Sequence, residues 1–276
     1  MLSTSYRPGD LPSSERGSRG RRRNSNRVIP PYTWFFQRRL AHDKREAINI
    51  LESSLKNESL AAGYDSILIP ALTLVEMERQ KGELEESTVP LIRNNTSEMV
   101  DELGFRALEE KYERAQTASD SLDPMSSPKI LVIPVRDGSD NLISTMLVQV
   151  LDQSGFHVAS LPVQRIDETV ATVTEEKPDI VFLSGMPPVA MARAHRIFRG
   201  RRSANPALKI IMGIWHYNED PVKAAQMIRR TEDLHTSRSL ADAIAKALVH
   251  AEPKPAVPEP LDESPQLVAT PTDTAA

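Results

Sequence analysis

Cysteine is absent from this chain of 276 residues. Without thiols the protein can build no disulfide framework, no thiolate nucleophile and no thiolate metal site. An absence of disulfides fits a reducing compartment, so we expect a cytoplasmic protein.

Long apolar runs are also missing. No continuous run approaches the ~18 residues that a membrane-spanning helix needs, so we predict no transmembrane segment. The first 27 residues lack the apolar core of a secretory signal. The net charge of −4 gives no general argument for nucleic acid, and we expect no nucleic-acid partner. Arginines do cluster in a Ser/Gly-rich stretch near the N-terminus, which is typical of a solvated tail. These arginines are Arg16, Arg19, Arg21, Arg22, Arg23 and Arg27.

Shifts in composition divide the chain into five parts. We predict a disordered basic leader over 1–30 and a disordered tail rich in proline and acid over 251–276, because neither has enough apolar residues to offset ordering. Between them we predict a helical bundle over 31–117, a linker over 118–128 and an α/β domain over 129–250.

Helical periodicity dominates residues 31–117. Apolar residues recur at spacings of three and four, which predicts a small bundle with those faces as its core. Gly82 is expected to end the second main helix, and the third to begin within 83–87. Pro70 falls inside the second pattern, so we expect either a kink or a helix start at Ile69.

Short apolar runs alternate with amphipathic ones from 129 to 250. The strand-like runs are KILVIPV, FHVASL, DIVFLS and LKIIMGI, followed by a weak polar fifth run, EDLHT. Helical patterns separate them, including one near 220–230. This alternation predicts right-handed crossovers and a doubly wound, flavodoxin-like α/β fold: a five-stranded parallel sheet of order 2-1-3-4-5, preceded by the helical bundle.

In such a sheet, ligands bind beyond the carboxyl ends of the strands, where the strand order reverses. The candidate site residues delivered there are Asp137, Gly138, Ser139 and Asp140 after strand one, Ser184, Gly185 and Met186 after strand three, and Gly213 and Trp215 after strand four. We expect a small-molecule ligand, if there is one, at this edge.

Three well-known kinds of site are excluded because these positions lack the residues that each one requires. A phosphoacceptor domain needs an aspartate where Ser184 stands and a lysine after strand five, near 235. A dinucleotide site needs several glycines, but VRDGSDN has one glycine and two acids that repel phosphate. A hydrolase elbow needs a Gly-x-Ser-x-Gly motif, and LSGMPP lacks its first glycine. No complete set of acid, base and nucleophile emerges, so we expect no enzyme.

Individual residues also have structural explanations. Asp140 stands where the first long helix should begin, so helix capping is the expected role. Ser184 and Gly185 are small residues at a strand end, where a flat ligand or another backbone can approach closely. His195 and His216 are expected to be surface or loop histidines.

The order of these segments resembles a known family. PVRDGSDNLISTMLVQVLDQSGFHV, KPDIVFLSGMPP and LKIIMGIW resemble the cobalamin-binding domain of methionine synthases and corrinoid methyltransferases. YDSILIPALTLVEMERQKGELEEST followed by MVDELG resembles the helical bundle that precedes that domain. The resemblance covers about residues 38 to 250.

The resemblance implies where a cofactor would bind, and the chain departs from the family there. The Asp-x-His-x-x-Gly loop, whose histidine coordinates cobalt, aligns with residues 138–143, so Asp140 replaces the histidine and Ile143 the glycine. The family serine that contacts the nucleotide tail of the cofactor persists as Ser184. Of the paired glycines after strand four only Gly213 remains, with Ile214 in the second place. The residue that would cover the upper corrin face falls at about Arg79. A carboxylate is a poor substitute for imidazole on cobalt.

A closer resemblance is to the soluble tail of bacterial membrane proteins of the autoinducer-2 exporter (permease) family. PPYTWFFQRRLAHDKREAINILESSL and LIPALTLVEMERQKGELEE carry it. It implies a regulatory or sensory module without catalysis, peripheral to a separately encoded membrane protein. We expect no resident cofactor. Two alternatives stay open: a genuine corrinoid-binding protein that uses no histidine ligand, with cobalamin as cofactor, and an enzyme of unknown chemistry.

Overall fold

The computed structural model describes residues 30–40, 44–56, 58–117, 128–136, 138–187, 190–204, 208–216 and 235–251. The helical part contains α1 (Pro31–Leu40), α2 (Lys44–Leu55), α3 (Leu60–Gly63), α4 (Ile69–Lys81) and α5 (Thr88–Thr117). The α/β part contains β1 (Lys129–Pro134), α6 (Ser139–Gln153), β2 (His157–Ser160), α7 (Ile166–Glu176), β3 (Ile180–Gly185), α8 (Ala190–Ala204), β4 (Lys209–Ile214), β5 (His235–Ser237) and α9 (Leu240–His250). The helix expected near 220–230 and residues 118–127 of the predicted linker over 118–128 lie outside the described residues.

The five strands form one parallel sheet of order β2-β1-β3-β4-β5. This confirms the predicted doubly wound α/β fold. β3 is buried along its whole length, and β1 and β4 are buried except near their first residue, which explains their near-continuous apolar sequences. The edge strand β2 is mostly exposed.

Side chains that alternate along the strands build a core on each face of the sheet. Ile130, Val132 and Phe182 point to one face and Leu131 and Ile133 to the other. α6 and α9 cover the first face, and α7 and α8 border the second.

The helical bundle shares the first of these cores. Met99, Val100 and Leu103 of α5 lie in the same apolar cluster as Met146 and Leu147 of α6. Bundle and sheet therefore exclude water from each other along α5 and α6.

Pro70 is accommodated without a break in the helix. α3 runs through a π-helical turn, Tyr64–Leu68, directly into α4, and the N–H of Ile69 bonds to the Tyr64 carbonyl five residues back. The wider turn accommodates a proline that can neither donate a hydrogen bond nor tolerate a carbonyl four residues earlier. Regular α-helical bonding restarts at Ile69, where α4 was expected to start, but as the continuation of a helix that begins at Leu60.

The combined helix from Leu60 to Lys81 is the one candidate membrane span among the described residues. Its length and composition would suffice, but 61% of its most apolar stretch is buried inside the fold. Core helices pass the same test, so the absence of a transmembrane segment stays a prediction.

Gly82 ends α4 as predicted. It adopts φ 75°, its N–H bonds to the Arg79 carbonyl, and the N–H of Glu83 bonds to the Glu78 carbonyl. This left-handed closure is the glycine-dependent end common to many helices. The next helix begins at Thr88, one residue beyond the predicted segment.

Candidate functional site

The sheet register brings the predicted site residues of β3 and β4 together. Ser184 lies directly beside Gly213, and on its other side it pairs with Pro134 at the end of β1. The loops after β1, β3 and β4 therefore meet at one edge, as the strand order requires. Asp137 lies outside the described residues.

Trp215 fills the space beside Ser184 and Gly213. Its indole is 1% exposed, and its Nε1–H donates to Ser184 Oγ at 2.9 Å. Ser184 is fully buried. A buried indole N–H needs such an acceptor, so the serine at the strand end satisfies the tryptophan.

The Trp215 indole packs directly against Gly213. A Cβ at position 213 would lie 2.0 Å from Trp215 Cζ2. No side chain larger than hydrogen fits there while the indole keeps its place. The space beside Gly213 that a ligand could occupy is therefore filled by the Trp215 side chain of the same protein.

We expected Asp140 to cap the N-terminus of α6, but the structure shows that it does not. The N-terminal cap of α6 is Gly138, and no side chain caps the free N–H groups there. Instead Asp140 Oδ1 accepts the N–H of Met186 at 2.9 Å, and the Arg136 guanidinium donates to both carboxylate oxygens at 3.1 and 3.4 Å. Asp140 therefore ties the loop after β1 to the loop after β3.

Burial decides the protonation behaviour of Asp140, whose side chain is 0% exposed. Burial raises its pKa above the ordinary value for aspartate, and the contacts with Arg136 and the Met186 N–H offset this only in part. A carboxylate held this way is occupied by protein donors and has no open face toward a ligand.

Gly185 and Met186 are buried by packing. A Cβ at Gly185 would lie 2.6 Å from the Cβ of Ala190 and 3.1 Å from that of Val135. The glycine is required by the close approach of α8 and of Val135, the residue after β1, rather than by a ligand. Met186 is 3% exposed and belongs to the core shared with the bundle.

The sequence reasoning missed a buried polar cluster between the bundle and α6. Glu76 of α4 is 5% exposed. Its Oε1 accepts from Arg93 of α5 and, at 3.0 Å, from Ser139 Oγ. Arg93 Nε also donates to Ser139 Oγ at 3.1 Å. We define Glu76, Arg93 and Ser139 as the interlayer cluster.

Gly138 leaves room for this cluster. A Cβ there would lie 2.6 Å from Arg93 Nη1, and the backbone has φ 78°, which few other residues adopt. Both the close approach of Arg93 and the positive φ therefore favour a glycine at position 138.

The charge balance of the interlayer cluster favours an ionised carboxylate. Burial alone would raise the pKa of Glu76, but the hydrogen bond and charge of Arg93, with help from Arg79 and Ser139, hold that pKa below its ordinary value. Arg79 reaches the other oxygen, Oε2, at 3.0 and 3.2 Å. Arg79, expected near the upper corrin face, thus belongs to an ion pair within α4.

A sequence signal for the cluster did exist. Glu76 lies one turn after Leu72 on the buried face of α4, and Arg93 follows the buried Ile92 on α5. Charges on apolar faces need partners, and two opposite charges on adjacent helices are candidates for each other. That pairing could have been proposed.

The two histidines that we expect on the surface or in loops, His195 and His216, differ in setting. His216 follows Trp215 with φ 45°, and its ring contacts Tyr32 of α1 edge to face at 6.0 Å between centroids. Burial lowers its pKa, which keeps it neutral. His195 lies on α8. Among the described residues, no three His, Asp or Glu side chains lie close enough together to hold a metal ion.

Comparison with solved structures extends this picture. The chain is similar to the monomethylamine corrinoid protein of Methanosarcina barkeri, with a TM-score of 0.55 and 12% identity over 79% of this chain and 97% of that protein. The fold is the one found in corrinoid proteins.

Two further solved structures are similar at lower TM-scores. A cobalamin-binding protein from Desulfitobacterium hafniense DCB-2 has a TM-score of 0.38 and 16% identity over 79% of this chain and 98% of that protein. The methanol:cobalamin methyltransferase complex of Methanosarcina barkeri has a TM-score of 0.37 and 12% identity over 79% of both chains. No family profile matches the sequence, and the search of curated proteins found no match.

Proposed function

We propose that this protein is a non-catalytic regulatory or interaction module with a corrinoid-protein fold, in which Trp215 occupies the slot that a corrinoid cofactor's nucleotide tail would need. The single observation that carries the proposal is the buried indole hydrogen-bonded to Ser184 above Gly213. In the resembling family the serine at position 184 contacts the tail, and Gly213 stands at one of the paired glycines after strand four.

The histidine that coordinates cobalt from below in the resembling family is also absent from this chain. Asp140 stands at the place of the family histidine, and its oxygens are engaged by Arg136 and the Met186 N–H. Carboxylates suit harder metal ions than cobalt in a corrin ring. These residues do not fit the cofactor.

The bundle side is also closed. Glu76 accepts from Arg93, Arg79 and Ser139, where an apolar cover over a corrin would be expected. Inserting a planar ring between bundle and sheet would break the hydrogen bonds that Ser139 of α6 makes with Glu76 and Arg93, and it would leave buried polar groups without these partners, which is unfavourable.

The alternative is a corrinoid-binding protein that takes cobalamin without a histidine ligand. Two retained positions favour it, Ser184 and Gly213, together with the fold. It requires the Trp215 indole to leave its buried position and give up the hydrogen bond to Ser184.

The experiment incubates purified full-length protein with hydroxocobalamin or adenosylcobalamin, removes free corrinoid by desalting, and records the visible spectrum. We expect no retained corrin absorption. Variant Trp215→Ala vacates the slot, and Trp34→Ala is its matched control because Trp34 is exposed. Stoichiometric corrin absorption in the wild-type protein would establish the alternative.

We further propose that the module works beside a separately encoded membrane protein in the cytoplasm, as the resemblance to exporter tails implies. The support is the exposed Trp34 on α1, in the segment that carries that resemblance. Deleting this segment would remove Phe35 and Leu51 from the core, so a surface variant is needed. Trp34→Ser should abolish co-purification of such a membrane protein, and Val249→Ser on the exposed end of α9 should not. Equal recovery with both variants would refute this partner surface.

A further inference from the structure

The second half of α5 carries an apolar stripe that the fold leaves exposed. Phe105, Leu108 and Tyr112 are 69%, 39% and 62% exposed, respectively. Their spacing of three and four residues places them on one face of the helix. We call these three residues the α5 stripe.

A groove runs beside the stripe. It has a volume of about 250 Å³ and lies between α5 and α6, with walls that include Phe105, Leu108 and Val148. Gly104 brings the two helices close together, since a Cβ there would lie 2.2 Å from Gln149 Nε2. The stripe and the groove form one continuous apolar surface.

Acidic residues line this surface. The charged residues in the groove wall are Asp101 and Asp152, and both are acidic. Glu109, directly after Leu108, is a further exposed acid. The nearby cations are already paired: Arg106 with Glu52 and Glu102, Lys111 with Asp152, and Arg114 with Glu110. The rim is therefore negative.

We propose that the α5 stripe and its groove are a docking site for a basic amphipathic helix of a partner protein. A helix with apolar residues at the same spacing would pack its side chains between Phe105, Leu108 and Tyr112 and into the groove. Lysine or arginine on its flanks would face the acidic rim, which favours this partner over an acidic one. The site is separate from the corrinoid-type slot and does not depend on the proposed function.

The test uses full-length protein and a fluorescent peptide of about 18 residues made of leucine and lysine, with leucines at helical spacing. Fluorescence anisotropy should show saturable binding that weakens with added salt. A matched peptide with glutamate in place of lysine should bind at least about tenfold more weakly. Hydrogen exchange should become slower over residues 101–113 when the lysine peptide is bound.

Variants locate the binding. Phe105→Ser combined with Tyr112→Ser should weaken the lysine peptide at least about tenfold, whereas Leu248→Ser with Val249→Ser, the matched exposed pair on α9, should change it less than about twofold. Thermal unfolding by circular dichroism checks that both pairs fold. Equal losses in both pairs, or equal binding of both peptides, would overturn the proposal.

Two other occupants give distinct results, and either would overturn it. If a second copy covers the stripe, sedimentation will show a wild-type dimer that the Phe105 and Tyr112 changes dissociate. If the basic leader covers it, replacing Arg21, Arg22 and Arg23 by serine will raise peptide affinity about tenfold.

Discussion

At the scale of single residues, one contact, between Gly213 and the Trp215 indole, closes the slot at the carboxyl ends of the strands. The closest approach of a Cβ at 213 to the ring is 2.0 Å, far inside van der Waals contact. The glycine and the tryptophan are therefore energetically coupled.

Gly213→Ala should destabilise the wild-type protein by about 1–3 kcal/mol through overpacking. In a Trp215→Ala background, which itself should cost about 3–5 kcal/mol, the same change should cost much less because its obstacle is gone. Urea unfolding of the four proteins measures the coupling. Additive effects would show that the indole does not rest on Gly213.

Residues such as Trp215 show where sequence reasoning reached its limit. The strand end was predicted because buried parallel strands are near-continuous apolar runs, and the strand order then placed Ser184 beside Gly213. The partner of Asp140, the Met186 N–H, lies 46 residues away, and Ser139 bonds Glu76 across 63 residues. Such contacts depend on the path of the whole chain, which local patterns do not encode.

At the scale of elements, the π-helical turn before Pro70 has a second effect. It carries Asp65, whose two carboxylate oxygens accept the N–H groups of Leu240 and Ala241 at 2.8 and 3.1 Å. A residue of the bundle thus caps the first turn of α9 in the α/β part, beside the cap that Ser239 provides.

Asp65→Ala should destabilise the protein by about 0.5–2 kcal/mol, the usual cost of losing a helix cap. Burial raises the pKa of Asp65 despite the two backbone bonds, which keeps the expected loss in the lower part of that range. Hydrogen exchange should become faster at the start of α9. Asp101→Ala, an exposed aspartate on α5, is the control and should leave α9 unchanged; faster exchange there in both variants would contradict the capping role.

At the scale of the whole molecule, the interlayer cluster fastens the bundle to the α/β part. Because Arg93 and its neighbours lower the folded-state pKa of Glu76, the carboxylate contributes stability above its unfolded value of 4.5. That contribution is lost as the pH falls through the lower folded-state pKa.

Glu76→Gln should lower the free energy of unfolding at about pH 7 by about 3 kcal/mol, near the lower end for a broken buried pair because the Arg93 side chain is 26% exposed. The difference from the wild-type protein should shrink as the pH falls below 4.5. Chemical denaturation across this pH range measures it, with Glu109→Gln as an exposed control. A difference that does not vary with pH would rule out the ionised pair.

The central claim, that Trp215 occupies the slot of a corrinoid-type fold, is tested most directly by its fluorescence. The chain has two tryptophans, so Trp34→Phe leaves Trp215 as the only tryptophan. We predict a blue-shifted emission that resists acrylamide and that hydroxocobalamin attenuates no more than it attenuates free tryptophan. Emission typical of a solvated indole, or saturable quenching by hydroxocobalamin at one equivalent, would contradict the account.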